Sequence, residues 1–399
     1  MRTRLPVLFI LVTMVIEAMG IGLIMPVMPA LLEEVQGVGL SEAALWGSVL
    51  ASAYALMQFL FSPLIGNLSD RFGRRPVLLV SMSVICLDYV LMAVAHTFWL
   101  LLVGRVIAGV AAATMATATA FMADISTPAE KAANFGLVSA AFGAGFVLGP
   151  AFGGLLAEYG ARAPFWAAAL LAGADVVFGL LVLPETLRRP RAFDWRRANP
   201  LGSLRALNAL PGLGALLALW FVFQVANWVY PAVWAYFTQA AFGWREGMVG
   251  LSLAVYGIST IVVQGGLIRW VIPRLGERRT IAWMLPYNVA ILLAIAFVPN
   301  GALLLLLTPL SALGALVQPA IQGLASRIAD DDAQGELQGV LASITAIAAI
   351  LSPLVMARIF NVATEGARHF PGAPFLAASG LMALAWILYR WQTTRGAQA

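Results

Sequence analysis

Twelve long apolar segments constrain this chain more than any other feature of its sequence. A helix that crosses a bilayer needs about 20 mostly apolar residues. The segments are 5–32, 43–66, 76–95, 98–122, 133–157, 164–183, 209–238, 247–271, 280–298, 301–325, 336–360 and 373–391. They lack the period-two alternation of a membrane β-barrel, so we predict an all-α membrane protein with twelve transmembrane helices.

The composition of the chain excludes most soluble classes of protein. Apolar residue types make up 61% and charged types only 11% of the 399 residues, whereas a soluble domain carries about 25% charged residues. The sequence therefore argues against a cytosolic enzyme, a disordered protein or a nucleic-acid-binding domain. With one cysteine, Cys86, and two histidines, His96 and His369, we expect no intrachain disulfide, no metal site and no cofactor.

The basic residues predict the orientation of the chain in the membrane. If the N-terminus is cytoplasmic, nineteen of the 24 lysines and arginines fall in inside segments and only three in outside segments. Basic residues favour the cytoplasmic side. We therefore expect a multi-pass protein of the bacterial inner membrane with both termini in the cytoplasm.

The chain divides into two halves that resemble each other. A polar stretch separates six spans from six, which predicts an N-terminal bundle at 1–185, a cytoplasmic linker at 186–208 and a C-terminal bundle at 209–399. A shift of 203 residues aligns Gly73 with Gly276 and Pro150 with Pro353. Transporters are often built from repeated halves, so we predict two pseudo-symmetric six-helix bundles.

The loop after the second span resembles the signature loop of the major facilitator superfamily, G-x-L-x-D-R-x-G-R-R. The residues that match it, or that we expect to contact it, are Gly66, Asp70, Arg71, Gly73, Arg74, Arg75 and Asp124. The resemblance implies that Asp70, Arg74 and Asp124 latch the cytoplasmic side. We expect Gly66 to let two spans approach closely and Asp70 to accept hydrogen bonds from helix N-termini. An ordinary basic inside loop is the alternative.

Span 5 resembles the glycine-rich motif of twelve-span drug/proton antiporters. Its matching residues are Gly136, Gly143, Gly145, Gly149, Pro150, Gly153 and Gly154. Further matches at Ala18–Pro26, Leu87–Tyr89 and Ala123-Asp124 resemble the tetracycline/proton antiporters of the TetA type. Glycines at these spacings allow close packing of helices, and Gly149-Pro150 is expected to kink the span. Packing alone is the alternative role.

The resemblance implies the major facilitator fold and a monomer that exports amphipathic drugs in exchange for protons by alternating access. The partners are then a small substrate, protons and the lipid bilayer, with no nucleic acid. A carrier of a small metabolite such as a sugar or organic acid, including a symporter, is the alternative. A membrane enzyme or receptor is a third class, but the sequence contains no H-E-x-x-H, G-x-S-x-G or Walker motif.

Four charged residues lie inside apolar spans: Glu17, Asp88, Arg105 and Asp175. A charge at the bilayer centre costs at least about 2.5–3.5 kcal/mol, so such residues are retained for a reason. Burial disfavours the charged form of a carboxyl group, which allows it to bind and release protons. We predict proton coupling by these residues, with Arg105 as a counter-charge. Structural hydrogen bonds between helices are the alternative.

The resemblance is weaker in the C-terminal half. The tetracycline antiporters have a functional histidine in span 8 and an aspartate in span 9, whereas this chain has Thr260 and Asn288 at about those positions. Glu17 stands where the family has aspartate. We therefore expect proton chemistry mainly in the N-terminal half, and tetracycline itself is not implied as the substrate.

The candidate substrate-binding residues are aromatic or amide side chains, which can stack on planar ligands and fix their orientation. They are Gln58, Phe61, Gln224, Asn227, Trp228, Tyr230, Trp234, Tyr236, Tyr256, Gln264, Tyr287, Asn288, Gln318 and Gln322. We expect Trp234 and Tyr236 to anchor a ligand near the outer end of span 7. Anchoring at the membrane interface is the alternative role for tryptophan and tyrosine.

Overall fold

The structure is a computed structural model that describes residues 4–112, 114–187, 192–193, 199–200, 202, 210, 212–330, 333–366 and 369–396. Helices dominate these residues, and no strand occurs among them. Eleven of the described helical segments are long and apolar enough to cross a membrane. The prediction of an all-α membrane protein is confirmed.

The described residues of the N-terminal part contain eight α-helices. They are α1 (Arg4–Ile24), α2 (Met28–Gln36), α3 (Leu40–Phe72), α4 (Arg74–Val94), α5 (Phe98–Ala111), α6 (Thr114–Ile125), α7 (Lys131–Leu156) and α8 (Ala163–Val182). The predicted first span, 5–32, is two helices. Pro26 explains the break, because a residue before proline avoids the helical region, and α2 then ends at Gly37 with φ 63°.

Eight further α-helices lie among the described residues of the C-terminal part. They are α9 (Gly214–Asn227), α10 (Val229–Phe242), α11 (Glu246–Val262), α12 (Ile268–Ala296), α13 (Gly301–Ser311), α14 (Val317–Ile328), α15 (Gln334–Glu365) and α16 (Ala373–Gly396). A π-helical turn, Val263–Leu267, joins α11 to α12. A 3₁₀ segment, Ala312–Leu316, joins α13 to α14.

The difference between eleven observed and twelve predicted spans has a local cause. One helical segment of 51 residues, Glu246–Ala296, contains both predicted spans 8 and 9. Gly276 interrupts its helical geometry with φ 73° and ψ 161°. This backbone conformation suits glycine, which has no Cβ to clash. The segment therefore holds two spans that meet at a sharp break.

The predicted internal repeat has a backbone counterpart at the same break. Gly73 lies between α3 and α4 with φ 113° and ψ 153°, and Gly276 lies 203 residues later in a similar conformation. Pro150 and Pro353, also 203 apart, both lie inside continuous helices, α7 and α15. The equivalent helix breaks and prolines support a duplicated architecture.

The described chain clusters into two compact units. The first unit contains Met1–Gly39, Ala53–Pro200 and Arg245–Ala254, and the second contains Leu40–Ser52, Leu201–Trp244 and Val255–Ala399. The start of α3 thus groups with the C-terminal helices, and the start of α11 with the N-terminal ones. The predicted linker, 186–208, lies mostly outside the described residues, so the predicted division of the chain there stays a prediction.

A glycine seam holds α1 against α7 within the first unit. A Cβ atom at Gly149 or Gly153 would lie 2.5 Å from the carbonyl oxygen of Met19 or Leu23, and one at Gly145 would clash with that of Val15. The glycines recur every four residues, so they share one helix face. Small residues allow this close approach in a membrane, where packing and not the hydrophobic effect drives helix association.

The glycine motif of span 5 is not a single packing surface. No described residue lies within 4 Å of a Cβ built at Gly136 or Gly143, whereas Gly154 abuts Gly247 at the start of α11. Pro150 lies within α7, which remains helical from Lys131 to Leu156. The predicted close packing therefore applies to Gly145, Gly149, Gly153 and Gly154, and is wrong for the other two glycines.

Candidate functional site

Asp88 and Arg105 form an ion pair inside the first unit. Asp88 lies on α4 and Arg105 on α5, and their side chains are 2% and 11% exposed. Gly104 makes the pairing sterically feasible, because a Cβ there would lie 2.6 Å from Oδ1 of Asp88. A buried ion pair in which one partner is removed leaves an uncompensated charge. Removal of either residue would therefore leave the other as an unpaired charge in the span.

Tyr54, which the sequence analysis missed, completes the surroundings of Arg105. The guanidinium carbon of Arg105 lies 5.4 Å from the centre of the Tyr54 ring, a distance suited to a cation–π interaction. Tyr54 belongs to α3 and Arg105 to α5, so the arginine is held between two spans. The only signal in the sequence is a tyrosine in an apolar span, which by itself indicates nothing about Arg105.

Glu17 and Asp175 line one small cavity within the first unit. The cavity also contacts Thr13, Tyr89 and Thr114. Asp175 is 3% exposed, and its Oδ1 accepts a hydrogen bond of 3.3 Å from the Thr13 hydroxyl. The four predicted proton-coupling residues thus form two arrangements, an ion pair and a pair of acids around a cavity. Their role in proton transfer stays a prediction.

Arg74 is the centre of the predicted cytoplasmic latch. Its guanidinium pairs with Asp70 at 2.5 Å and with Asp124 at 3.3 Å, and it donates to Ser69 Oγ at 3.1 Å. Arg74 is only 12% exposed. The structure therefore brings Asp70, Arg74 and Asp124 together as one network. Its role as a latch stays a prediction.

Glu185 is a second residue that the sequence analysis missed. Its carboxylate accepts hydrogen bonds from the backbone N–H groups of Arg74 at 3.0 Å and Arg75 at 3.2 Å. The first N–H groups of a helix have no partner within the helix, and a negative charge is favourable at this end of α4. A side chain at Gly73 would collide with Glu185. Among the described contacts, Glu185 caps this helix, and Asp70 pairs with Arg74.

The other residues of the signature loop make fewer contacts. Arg75 donates to the carbonyl of Leu180 at 2.9 Å, and the guanidinium of Arg71 stacks on Phe72. No described residue lies within 4 Å of a Cβ built at Gly66. The prediction that Gly66 permits a close approach of two spans is therefore wrong for this structure. The space around it accommodates a larger residue.

The second unit repeats the latch pair with inverted charges. Arg327 forms an ion pair of 2.7 Å with Glu277. Positions 277 and 327 lie 203 residues after Arg74 and Asp124, which form the corresponding pair in the first unit. The two halves thus share this contact, with the acid and the base exchanged. Arg327 is 72% exposed, so its pair is more solvated than the first.

Four predicted substrate-binding residues are buried in the second unit. Trp234 and Tyr236 are only 4% and 5% exposed, and their rings pack against Phe375 and Phe360 at centroid distances of 6.0 and 6.4 Å. Gln224, also buried, donates to Thr345 Oγ1 at 2.9 Å. Trp234 and Tyr236 therefore lie in the helical core, and the structure does not place them as exposed anchors at its outer end.

Asn288 is the fourth buried residue, and its contacts show what it does. Its Nδ2 donates to the carbonyl oxygens of Met284 at 3.0 Å and Gly314 at 3.4 Å. Gly314 belongs to the 3₁₀ segment between α13 and α14, and a Cβ there would collide with the amide. Asn288 therefore joins α12 to the interruption of the next span.

The remaining candidates are half-buried or exposed. Tyr230 stacks on Tyr256 at 5.6 Å, Tyr287 donates to the carbonyl of Leu310 at 2.8 Å, and Gln58 donates to the carbonyl of Ala112 at 3.1 Å. Five further candidates are half-buried, namely Phe61, Asn227, Trp228, Gln318 and Gln322. Gln264 is exposed in the π-helical turn. Binding of substrate by any of them stays a prediction.

Comparison with known families agrees with this architecture. The family model described as Major Facilitator Superfamily matches residues 10–353. The chain belongs to the major facilitator superfamily. This transporter is 39% identical to the class C tetracycline resistance protein of Escherichia coli over 361 residues. The aligned region covers 90% of this chain and 91% of that protein.

Two further similarities extend across the chain. The class G tetracycline resistance protein of Vibrio anguillarum is 39% identical over 353 residues, which cover 88% of this chain and 89% of that protein. The crystal structure of the human organic anion transporter MFSD10 (TETRAN) aligns with a TM-score of 0.70 and 25% identity, covering 97% of this chain and 99% of that one. The transporter is a multi-pass protein of the inner membrane.

Proposed function

We propose that this transporter exports amphipathic drugs from the cytoplasm in exchange for protons. It is a drug-efflux transporter, and the alternative of a metabolite carrier is not favoured. Cytoplasmic termini agree with the excess of basic residues in the inside segments, and exchange for protons agrees with the acidic residues within the spans. Its relatives are named for resistance to tetracycline, which makes tetracycline the first compound to test.

The placement of acidic residues carries the proposal of proton coupling. In the first unit, Glu17, Asp88 and Asp175 lie within spans α1, α4 and α8. In the described C-terminal helices, the acids lie in first turns, at a break or at a helix end. These acids are Glu246, Glu277, Glu336 and Glu365. Proton binding within the membrane is therefore assigned to the first unit.

The two arrangements of charged residues suit different tasks. Asp88 is neutralised by Arg105, so this pair holds α4 and α5 together with no net charge. Glu17 and Asp175 have no cationic partner among the described ion pairs, and both face a cavity. Protonation of this second pair removes a buried negative charge, which changes the relative energy of two conformations of the transporter.

The arginines argue for neutral or cationic substrates. Arg105 is engaged by Asp88, and Arg358 donates to Oδ1 of Asn361 at 3.1 Å. An anionic substrate requires cationic or hydrogen-bond-donating groups that remain available to bind it. The described spans supply mainly aromatic and amide side chains instead. Amphipathic drugs with a neutral or positive charge therefore fit best.

Transport by purified protein in proteoliposomes tests the proposal. With an imposed pH gradient, tetracycline or ethidium is expected to accumulate on the side of higher proton concentration, because protons leaving that side drive the drug in. Dissipation of the gradient with a protonophore is the control. If neither compound moves with the gradient, while a sugar or organic acid does, the metabolite carrier replaces the drug exporter.

A further inference from the structure

The cavity between α1, α4, α6 and α8 is small, and a few polar side chains interrupt its mostly apolar wall. Its volume is about 20 Å³, and its walls include Thr13, Glu17, Tyr89, Thr114 and Asp175. A cavity of about 10–15 Å³ on this measure is enough for one water molecule, if two to four polar groups can bind it. This cavity is therefore large enough for one water, and its polar side chains can supply hydrogen bonds to it.

Two polar atoms at the cavity lack hydrogen-bond partners among the described residues. Oε2 of Glu17 and the hydroxyl oxygen of Thr114 are both buried without a partner of good hydrogen-bond geometry, although the two side chains are close enough to interact directly. Thr114 is 1% exposed. Buried polar groups are nearly always hydrogen-bonded to protein or to ordered water. A water between Glu17 and Thr114 satisfies both groups.

Asp175 faces the same cavity from α8. The 3.3 Å hydrogen bond from Thr13 engages Oδ1 and fixes the orientation of the carboxyl group, which leaves Oδ2 as an acceptor. Thr13 is itself 2% exposed. Thr13 on α1 and Thr114 on α6 thus lie beside the two acids, Glu17 on α1 and Asp175 on α8. A water in the cavity can contact both carboxyl groups.

Among the described residues around these two acids, none supplies a positive charge that is not already paired. Besides Asp175, the titratable groups facing Glu17 are Tyr89 on α4 and Tyr54 on α3, and Arg105 is engaged by Asp88. Between Ala132 and Leu156, α7 has no titratable residue, and α6 has only Asp124, in its last turn. Two like charges in a low-dielectric site cannot both form cheaply, so one proton is retained between them.

We infer that Glu17, Thr13, Thr114 and Asp175 form a site for one water and one proton, which the two carboxyl groups share through that water. This inference rests on the proposed function and specifies its proton site. When the O–H bond of protonated Glu17 breaks, its proton passes to the water, and the water gives another proton to Asp175. The site holds one proton and one negative charge before and after the transfer.

The site assigns a different role to the Asp88–Arg105 pair. That pair is already neutral as a unit, so it positions α4 and α5 and does not carry the transported proton. Movement of the proton between Glu17 and Asp175 instead transfers negative charge between α1 and α8. Thr114 acts through the water, so it is a positioning residue.

Transport by variants of the full chain tests the shared site. Asp175→Asn is expected to reduce pH-gradient-driven accumulation of ethidium by about tenfold. This is the change in proton occupancy that a shift of about one pH unit produces. Ethidium exchange without a gradient is expected to persist. The pH of half-maximal driven transport should move lower, because Glu17 no longer shares its proton with a second carboxylate. Thr114→Val should reduce driven transport, and Thr114→Ser should restore it.

Infrared difference spectroscopy during a pH titration gives a readout that needs no substrate. The carbonyl band of the protonated carboxyl group should shift in Asp175→Asn and Thr114→Val, and return in Thr114→Ser. A merely structural role predicts that driven transport and exchange are lost equally. Either that result or an unchanged pH profile in Asp175→Asn would overturn the inference. If the wild type moves no drug, the proposed function fails, and an infrared band unaffected by Asp175→Asn overturns the site independently.

Discussion

Glu277 and Arg327 form an ion pair at the positions where the first half of the chain has Arg74 and Asp124. The distances are 2.7 Å in the second unit and 3.3 Å in the first, and the sequence offset is 203 residues for both partners. Because both halves have the contact with exchanged charges, we expect the pairing itself to matter more than the identity of the acid and the base at each position.

Charge reversal at this pair tests that conclusion. Glu277→Arg places two cations together and is expected to lower transport, whereas the double variant Glu277→Arg with Arg327→Glu should recover it. Because Arg327 is largely exposed, the cost to stability should be about 0.5 kcal/mol or less. Drug efflux and thermal unfolding measure the two effects. Equal transport by the single and double variants would mean that the pairing is not required.

Glu185 is expected to stabilise the start of α4. Glu185→Ala removes the acceptor for the N–H groups of Arg74 and Arg75 and should reduce the free energy of unfolding by about 1 kcal/mol. Glu158→Ala, an exposed acid of the 3₁₀ turn Ala157–Tyr159, is the matched control. Thermal unfolding of the detergent-solubilised protein measures the difference. Similar unfolding temperatures for both variants would contradict the capping role.

The glycines of α7 separate into required and dispensable positions. Gly149→Ala should destabilise the protein by about 1–3 kcal/mol, because the added methyl group overlaps the backbone of α1. Gly143→Ala is the control, since no described residue lies within 4 Å of its Cβ position. The yield of folded protein and its thermal stability report the result. A destabilised Gly143→Ala variant would show that the seam is wrongly placed.

Asn288 should not be convertible into a proton site. Asn288→Asp replaces a donor to two carbonyl oxygens with an acceptor, which leaves buried acceptors facing each other and costs about 1–3 kcal/mol. We expect lower stability and no gain in the number of protons exchanged per drug molecule. Measurement of that ratio in proteoliposomes decides, and an increased ratio would refute this account of Asn288.

The sequence predicts those features that depend on local pattern. Apolar length gives the spans, and the 203-residue offset finds the equivalent breaks at Gly73 and Gly276. The sequence also suggests that Arg74 reaches Asp124. In contrast, the contacts of Tyr54 and Glu185 depend on which helices are neighbours, which periodicity does not reveal. Trp234 shows the same limit, because the sequence pattern around an aromatic residue in a span is the same whether the residue faces a substrate or packs against Phe375.

In the proposed mechanism, the proton that drives export binds at Glu17, which shares it with Asp175. The most direct test is a comparison of wild type and Glu17→Gln in proteoliposomes, with drug accumulation under a pH gradient and drug exchange without one measured in the same preparation. We predict that Glu17→Gln loses accumulation and retains exchange, because its amide cannot release a proton. Accumulation at the wild-type level in Glu17→Gln would contradict the account.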